Sequence, residues 1–298
     1  MQIRNAVVLV AGRGTRLLPS TKAQPKEMLP VGRKPIVQYV VEELEQAGVE
    51  SILFVTGSRK RAIEDHFDED LELTAYLEQS GKADLIDALR FEQNNTAFLY
   101  TRQSRQLGTG HAIACAREFV GDAPFIVAMG DSIIVGDSDR PLLDRMMEAY
   151  DRADGGCVIA FREVPPADTV RYGVADPASD GDTFEVRDLV EKPRPGRAPS
   201  NLAIAARYVL PPTIFRFIDE TAAAANGEIQ ITDTFRLMLQ RGKKVLGVKL
   251  GPDQRRCDIG NFASYYKTFI DFALADSEVG PEIEAYIQAR SEGKEDRR

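Results

Sequence analysis

The apolar residues of this 298-residue chain come in short runs rather than long amphipathic stripes. Ala6–Ala11 (AVVLVA) and Ile52–Thr56 (ILFVT) lack polar alternation, the pattern of strands covered on both faces. Between them Ile36, Val40, Leu44 and Ala47 share one helical face, with Pro35 suited to the first turn and Gly48 to the stop. The spacing predicts a strand, a long loop, a helix and a strand. A loop of that length in a compact domain usually carries function.

The alternation continues. Strands are expected at Ala97–Thr101, Pro124–Met129 and Gly156–Phe161, with helices at His111–Val120 and Leu142–Arg152. Further strands are expected at Ala203–Val209 and Lys244–Leu250, and helices at Pro212–Ala225, Thr232–Arg241, Phe262–Ala275 and Pro281–Ala289. Such alternation predicts a Rossmann-like α/β fold, with a mostly parallel sheet and helices on both faces. Pro, Gly and Asp clusters over residues 164–199 break the rhythm and read as an inserted, smaller antiparallel or loop-rich region. With no repeat and no linker, residues 1–298 read as a single domain. It closes in C-terminal helices over 262–298, with a frayed tail at 292–298.

Composition narrows the function class. No apolar stretch reaches the ~18 residues that span a bilayer, and the N-terminal run reads as a strand rather than a signal peptide. Cys115, Cys157 and Cys257 are widely spaced without a C-x-x-C pair. That argues against a disulfide framework or structural zinc and for a reducing, cytoplasmic setting. A net charge of −8 argues against a nucleic-acid binder. Its distribution is uneven, however. Within the first 34 residues Arg4, Arg13, Arg16, Lys22, Lys26, Arg33 and Lys34 face only Glu27, which points to a local site for a small polyanion.

The glycine turn after the first strand tests which polyanion. A dinucleotide fingerprint needs a third small residue three positions after Gly14, where the chain has Leu17, and an acid closing the second strand, which ends Phe54-Val55-Thr56-Gly57. A Walker-type loop needs Lys directly after its last glycine, and neither Gly12 nor Gly14 has one. What remains is a turn whose backbone N–H groups approach phosphates closely. Arg16 offers a planar fork and Lys26 a point charge.

GRGTRLLP at 12–19 followed by TKAQPKEMLP at 21–30 resembles the signature loop of the sugar-1-phosphate nucleotidyltransferases. The resemblance recurs in order: LGTGHA at 107–112, GDS at 130–132, YGV at 172–174, VEKP at 190–193, SNLAIAARYVL at 200–210, GEIQITD at 227–233 and DIGN at 258–261. It is closest to the bacterial branch that takes UTP and glucose 1-phosphate. The resemblance implies attack of the sugar phosphate on the α-phosphorus of UTP, releasing pyrophosphate.

The family positions that act in catalysis match Arg16, Lys26, Asp131 and Lys192. Those that meet the nucleotide match Ala11, Gly12, Gly14, Glu27, Gln103 and Gly108, and those that meet the sugar phosphate match Gly173, Glu191, Lys192 and Asn201. Asp131 and Asp258 are the positions that hold Mg²⁺ in the family, a hard cation suited to carboxylate oxygens. His66 and His111 read as structural. A homodimer or homotetramer is implied as well.

One departure matters. The uridylyltransferase pattern has Pro-Asp where this chain has Gly130-Asp131, a pair closer to the thymidylyltransferase branch. A thymidylyltransferase using dTTP is thus the nearest enzymatic alternative. A catalytically weak paralogue that binds sugar nucleotides and modulates a partner enzyme is the alternative of another class.

Overall fold

The computed structural model describes residues 2–136 and 140–291, so the tail expected at 292–298 lies outside the described residues. Strand β1 (Asn5–Leu9) opens into the long loop, which ends in a short ribbon, β2 (Pro30–Val31) and β3 (Lys34–Pro35), and helix α1 (Ile36–Gln46). Next come β4 (Ser51–Thr56), helices α2 (Arg61–Phe67) and α3 (Leu71–Gln79), and β5 (Ala97–Arg102). The middle of the chain forms α4 (Gly108–Ala114), α5 (Arg117–Val120), β6 (Phe125–Met129), β7 (Ser132–Val135), α6 (Leu142–Tyr150) and β8 (Cys157–Glu163). Strands β9 (Gly173–Pro177), β10 (Thr183–Glu191) and β11 (Leu202–Leu210) follow. The last part is α7 (Ile214–Glu220), α8 (Ile231–Gln240), β12 (Val245–Lys249), β13 (Arg255–Asp258), α9 (Phe262–Leu274) and α10 (Gly280–Ser291).

Nine strands share one sheet in the order β5-β4-β1-β6-β11-β8-β12-β10-β9. The first four run parallel, as do β8 and β12, while β11, β10 and β9 enter antiparallel. The strands within 164–199 are therefore joined to the main sheet, because β10 pairs with β12 and β9 touches β11. Period-two alternation sorts the core. Val7 and Leu9 face a cluster with Ile113, Phe215 and Phe235, whereas Ala6 and Val8 face Val40, Leu44, Ile63 and Met146. Helices thus cover both faces, as the alternation predicts.

Helix α1 carries no side-chain cap, but buries Ile36, Val37, Val40, Val41 and Leu44. At about 1.5–3 kcal/mol for each apolar side chain fully buried, that face outweighs a missing cap of about 1 kcal/mol. Three expectations change, and the simplest is that the helix expected at Pro212–Ala225 covers only Ile214–Glu220. The helix placed at His111–Val120 starts at Gly108 and breaks at Cys115-Ala116, because Gly110 N–H bonds to Ile229 C=O (2.8 Å) and draws the first turn toward the segment before α8. Helices α2 and α3, which the sequence pattern did not reveal, fill part of the span between β4 and β5; only Ile63, Phe67 and Leu77 are buried in them. Among the described residues no helix is long and apolar enough to cross a membrane.

The loop after β1 has its own small core. Leu17, at the position where a dinucleotide fingerprint needs glycine, is 1% exposed and packs with Val31, Ile36, Ile133, Cys257 and Ile259. Gly14 takes φ +67°, and its carbonyl accepts a hydrogen bond from Thr21 Oγ1 (2.8 Å), folding the loop back on itself. These contacts, all within the protein, give the loop its shape.

Candidate active site

The parallel strands deliver their following residues to one edge of the sheet: Ala11 and Gly12 after β1, Ser58–Lys60 after β4 and Asp131 after β6. This is the carboxyl edge where open α/β sheets bind ligands. Three adjoining clefts lie there. One, about 440 Å³, is lined by Ala11, Gly12, Arg13, Lys22, Lys60 and Gln106 among others. A second, about 300 Å³, is framed by the glycine turn with Arg13, Arg16, Lys26 and Gly260. The third, about 570 Å³, joins Arg16, Lys26, Asp131 and Asp258 to Tyr172, Gly173, Glu191, Lys192, Thr232 and Arg256. Arg16 and Lys26 line both the second and the third.

Four of the seven early basic residues, Arg13, Arg16, Lys22 and Lys26, therefore face the clefts. The other three are engaged elsewhere: Arg4 with Glu50 (3.3 Å), Arg33 with Asp276 (2.6 Å) and Glu278 (2.7 Å), and Lys34 with Glu42 (2.8 Å).

Lys26 and Asp131 form a close ion pair with both side chains largely buried. Burial alone would lower the Lys26 ammonium, but Asp131, Glu27 and Asp258 hold it above its ordinary value. Burial likewise pushes the Asp131 carboxyl up, and Lys26 with Arg256 outweighs it, leaving Asp131 below the usual carboxylate range. Both therefore stay charged across the neutral range.

Asp258 reaches the same wall from β13. That strand pairs antiparallel with β7, Asp258 opposite Ser132, and Ile259 N–H bonds to Asp131 C=O (3.2 Å). Two hard carboxylates thus line one cleft, Asp131 from the turn before β7 and Asp258 from the end of β13. Among the described residues no cluster of three or more His, Cys, Asp or Glu forms a metal cage. Mg²⁺ needs no such cage, since it commonly takes one or two carboxylates and completes its shell with waters and substrate phosphates. The donor set fits that ion.

Of the other residues, Glu27, Gln103 and Asn201 are not among the lining of these three clefts. Glu27 is 1% exposed and bonded to Lys60 (2.6 Å), so Lys60 rather than Glu27 lines the cleft. Burial raises the Glu27 carboxyl, with Lys60 and Lys26 opposing. Gln103 is buried, its amide donating to Gly108 C=O (3.0 Å) and lying 3.0 Å from His111 Nδ1; it braces the Gly108 turn. Asn201 lines a separate cavity with Pro166, Pro195 and Ser200, which meets the large cleft at Val170. His66 packs on Phe91 and contacts Gln38 (3.1 Å), a structural place. Glu191 accepts from Thr232 Oγ1 (2.8 Å) and lies 3.3 Å from Lys192 Nζ.

The sequence reading missed Lys60, Gln106 and Arg256. Gln106 donates to Ala11 C=O (2.7 Å) and closes the glycine turn. Lys60 follows β4 at the ligand edge, and Arg256 precedes Asp258 by two, the spacing that keeps two strand residues on one face. Both signals were available.

Gly130 has a packing reason. A Cβ there would stand 2.5 Å from Val10 Cγ1, and Gly130 N–H bonds to Leu9 C=O (3.1 Å), which proline would forfeit. We expect Gly130→Ala to cost about 1–3 kcal/mol by overpacking, with partial recovery when Val10 is also trimmed to alanine. Urea titration of the single and double variants checks this; additive losses would contradict it. The glycine is thus explained without reference to the base of the nucleotide.

The family model for nucleotidyl transferases matches residues 5–273. A UTP–glucose-1-phosphate uridylyltransferase of Staphylococcus epidermidis is 46% identical over 96% of this chain and 98% of its own. A second, from Staphylococcus saprophyticus, is 45% identical over the same shares. Among solved structures, a UTP-bound UGPase from Acinetobacter baumannii superposes with a TM-score of 0.87 at 35% identity, covering 96% of this chain and 99% of that one. With a glycine-loop cleft, paired cations and paired carboxylates on one sheet edge, the chain belongs to the nucleotidyl transferase family.

Proposed function

We infer that the chain joins UTP to glucose 1-phosphate, giving UDP-glucose and pyrophosphate. The observation that carries this reading is the sharing of Arg16 and Lys26 between the glycine-loop cleft and the large cleft. The same two cations then face the junction where two anionic substrates must meet. A sugar-phosphate oxygen attacks the α-phosphorus in line, the new P–O bond forms as the bond to pyrophosphate breaks, and no proton need move. The attacking group is already ionised at neutral pH, so the protein has to align two polyanions and neutralise charge on the leaving group.

In this reading the backbone of Ala11–Gly14, with Arg13, Lys22 and Lys60, receives the nucleotide. Lys192 pairs with the sugar phosphate, and Glu191 accepts from sugar hydroxyls. Asp131 and Asp258 would hold Mg²⁺, which supplies neutralisation of charge on phosphate oxygens when bound. The names of the relatives and the UTP of the solved neighbour support UTP over dTTP. A cytoplasmic homo-oligomer belongs to the same reading.

Crossing four nucleoside triphosphates with several sugar 1-phosphates, with and without Mg²⁺, tests it. UTP with glucose 1-phosphate should release pyrophosphate fastest, and chelation should stop release. A preference for dTTP would overturn the substrate assignment, and no turnover with any pair would favour a regulatory binding protein. A pH prediction follows from the charges. Lys26 is held above, and Asp131 below, its ordinary value, so neither titrates near neutrality. The phosphate monoester does, with a second pKa of about 6. We expect kcat/KM for the sugar phosphate to fall below about pH 6 as the substrate gains a proton, in Lys26→Arg as in the unsubstituted enzyme. An acid limb that shifts in that variant would assign the titration to the protein.

A further inference from the structure

Tyr172, just before β9, collects three guanidinium groups. The Arg162, Arg171 and Arg256 carbons lie 5.3, 5.5 and 5.6 Å from its ring centre, within cation–π range. Like charges repel, so such a cluster needs a reason. Arg171 is exposed and sits 3.5 Å from Asp168. Arg162 donates to the Tyr172 hydroxyl (3.2 Å) and to Arg256 C=O (3.2 Å), bracing the ring and the Arg256 backbone.

Arg256 is different. Its side chain is 10% exposed and all three of its nitrogens are engaged. Nε donates to Ser132 Oγ (2.6 Å), Nη1 to Ile204 C=O (3.3 Å) and Nη2 to Asp258 Oδ1 (3.3 Å). Ser132 is fully buried and directly follows Asp131. One guanidinium therefore holds one cleft carboxylate directly and the neighbour of the other, while lying against Tyr172. From Tyr172 the link goes on: its carbonyl accepts the Lys192 N–H (3.0 Å), and Lys192 is held at φ +45°, a left-handed conformation uncommon outside glycine.

We propose that Arg256 and Tyr172 form a positioning pair that sets the sugar-phosphate side of the cleft, Glu191–Lys192, against the transfer side, Asp131 and Asp258. The proposal rests on the reading of the cleft given under Proposed function. The pair needs a planar fork with a face, which arginine has and lysine lacks. It needs the aromatic ring and the backbone of residue 172; the hydroxyl, which accepts from Arg162, contributes less. Neither residue has to touch a reacting atom.

The test uses Arg256→Met, Arg256→Lys, Tyr172→Leu and Tyr172→Phe in the full-length enzyme. Three quantities are read: KM for glucose 1-phosphate, the Kd of UTP alone by calorimetry, and the thermal midpoint. Groups that orient a site from behind typically change affinity or activity about 10–100-fold when lost. We expect Arg256→Met and Tyr172→Leu to raise KM for the sugar phosphate within that range with the UTP Kd unchanged. Tyr172→Phe, which keeps the ring and the backbone and loses only the acceptor of the Arg162 bond, should raise KM less than Tyr172→Leu, and Arg256→Lys should stay defective.

Rescue by Arg256→Lys would overturn the proposal, since a point charge would then suffice. Parallel losses in UTP binding, sugar-phosphate KM and thermal midpoint would also overturn it, in favour of a purely structural role. Unsubstituted enzyme that prefers another sugar 1-phosphate sinks only the substrate assignment. The same four variants are then compared on that sugar phosphate.

Discussion

Lys26→Ala is expected to lower kcat for pyrophosphate release by about 10²–10³, the usual effect of removing one fixed donor aimed at developing charge. Lys26 is the strongest candidate because protein contacts hold it in place. Its side chain is 14% exposed and fixed at the junction of two clefts by Asp131. Gly12 lies beside it, and a Cβ there would meet Lys26 Cε and Nζ at 3.5 Å, so the loop backbone and the ammonium share one small space. Arginine should not restore the rate, because a planar fork does not fit where a compact ammonium is held. The loss should appear in kcat rather than in the Kd of UTP, since the leaving pyrophosphate gains charge only in the transition state. Steady-state kinetics, with the thermal midpoint as a control on folding, decides it. A rate within tenfold of the unsubstituted enzyme would remove Lys26 from the transfer step.

The fold was readable where one period governed burial. The runs of β1, β4, β6 and β8 sit in a sheet covered on both sides, and α1 follows its 36-40-44 spacing almost to the residue. Readability failed where burial was slight, as in α2 and α3, or where a distant partner set the geometry, as Ile229 does for the start of α4. The site followed the same rule. Arg16, Lys26, Asp131, Gly173, Glu191, Lys192 and Asp258 converge on one cleft although they come from four parts of the chain. Family spacing placed them together. Glu27 and Gln103 went beneath the surface because each found a buried polar partner, Lys60 or the Gly108 carbonyl, and no periodicity in the chain encodes such a pairing.

Arg207 is the sharpest case, and it carries the other large expected effect: Glu43→Ala should destabilise the enzyme by up to about 3–5 kcal/mol, the cost of stranding the buried member of an ion pair whose other member is 21% exposed. In SNLAIAARYVL the arginine is the one charged residue, and a charged side chain is ordinarily left at the surface. Instead Ala206 adopts φ +65°, the register of β11 against β8 shifts between Ile204 and Tyr208, and Arg207 turns inward with none of its surface exposed. Its Nε lies 3.1 Å from Glu43 Oε2, its Nη2 2.6 Å from the same oxygen, and Nη2 also donates to Ser132 C=O (2.9 Å). A left-handed alanine costs roughly 1–2 kcal/mol, and a buried guanidinium costs several more unless paired. Glu43 is what makes this arrangement stable. Alanine at 43 leaves the guanidinium with carbonyl acceptors only and no counter-charge. Glu43→Gln, which keeps an acceptor and loses the charge, should fall between. Replacing both residues by apolar ones, Glu43→Leu with Arg207→Met, should recover much of the stability, because a well-packed apolar pair often matches a buried ion pair. The same double variant frees the Ser132 carbonyl next to Asp131, so it should fold well yet turn over poorly. Urea midpoints and kcat measured on all three variants separate these outcomes, and a loss below about 1 kcal/mol in Glu43→Ala, the range of an exposed pair, would show that the pair contributes little to the fold.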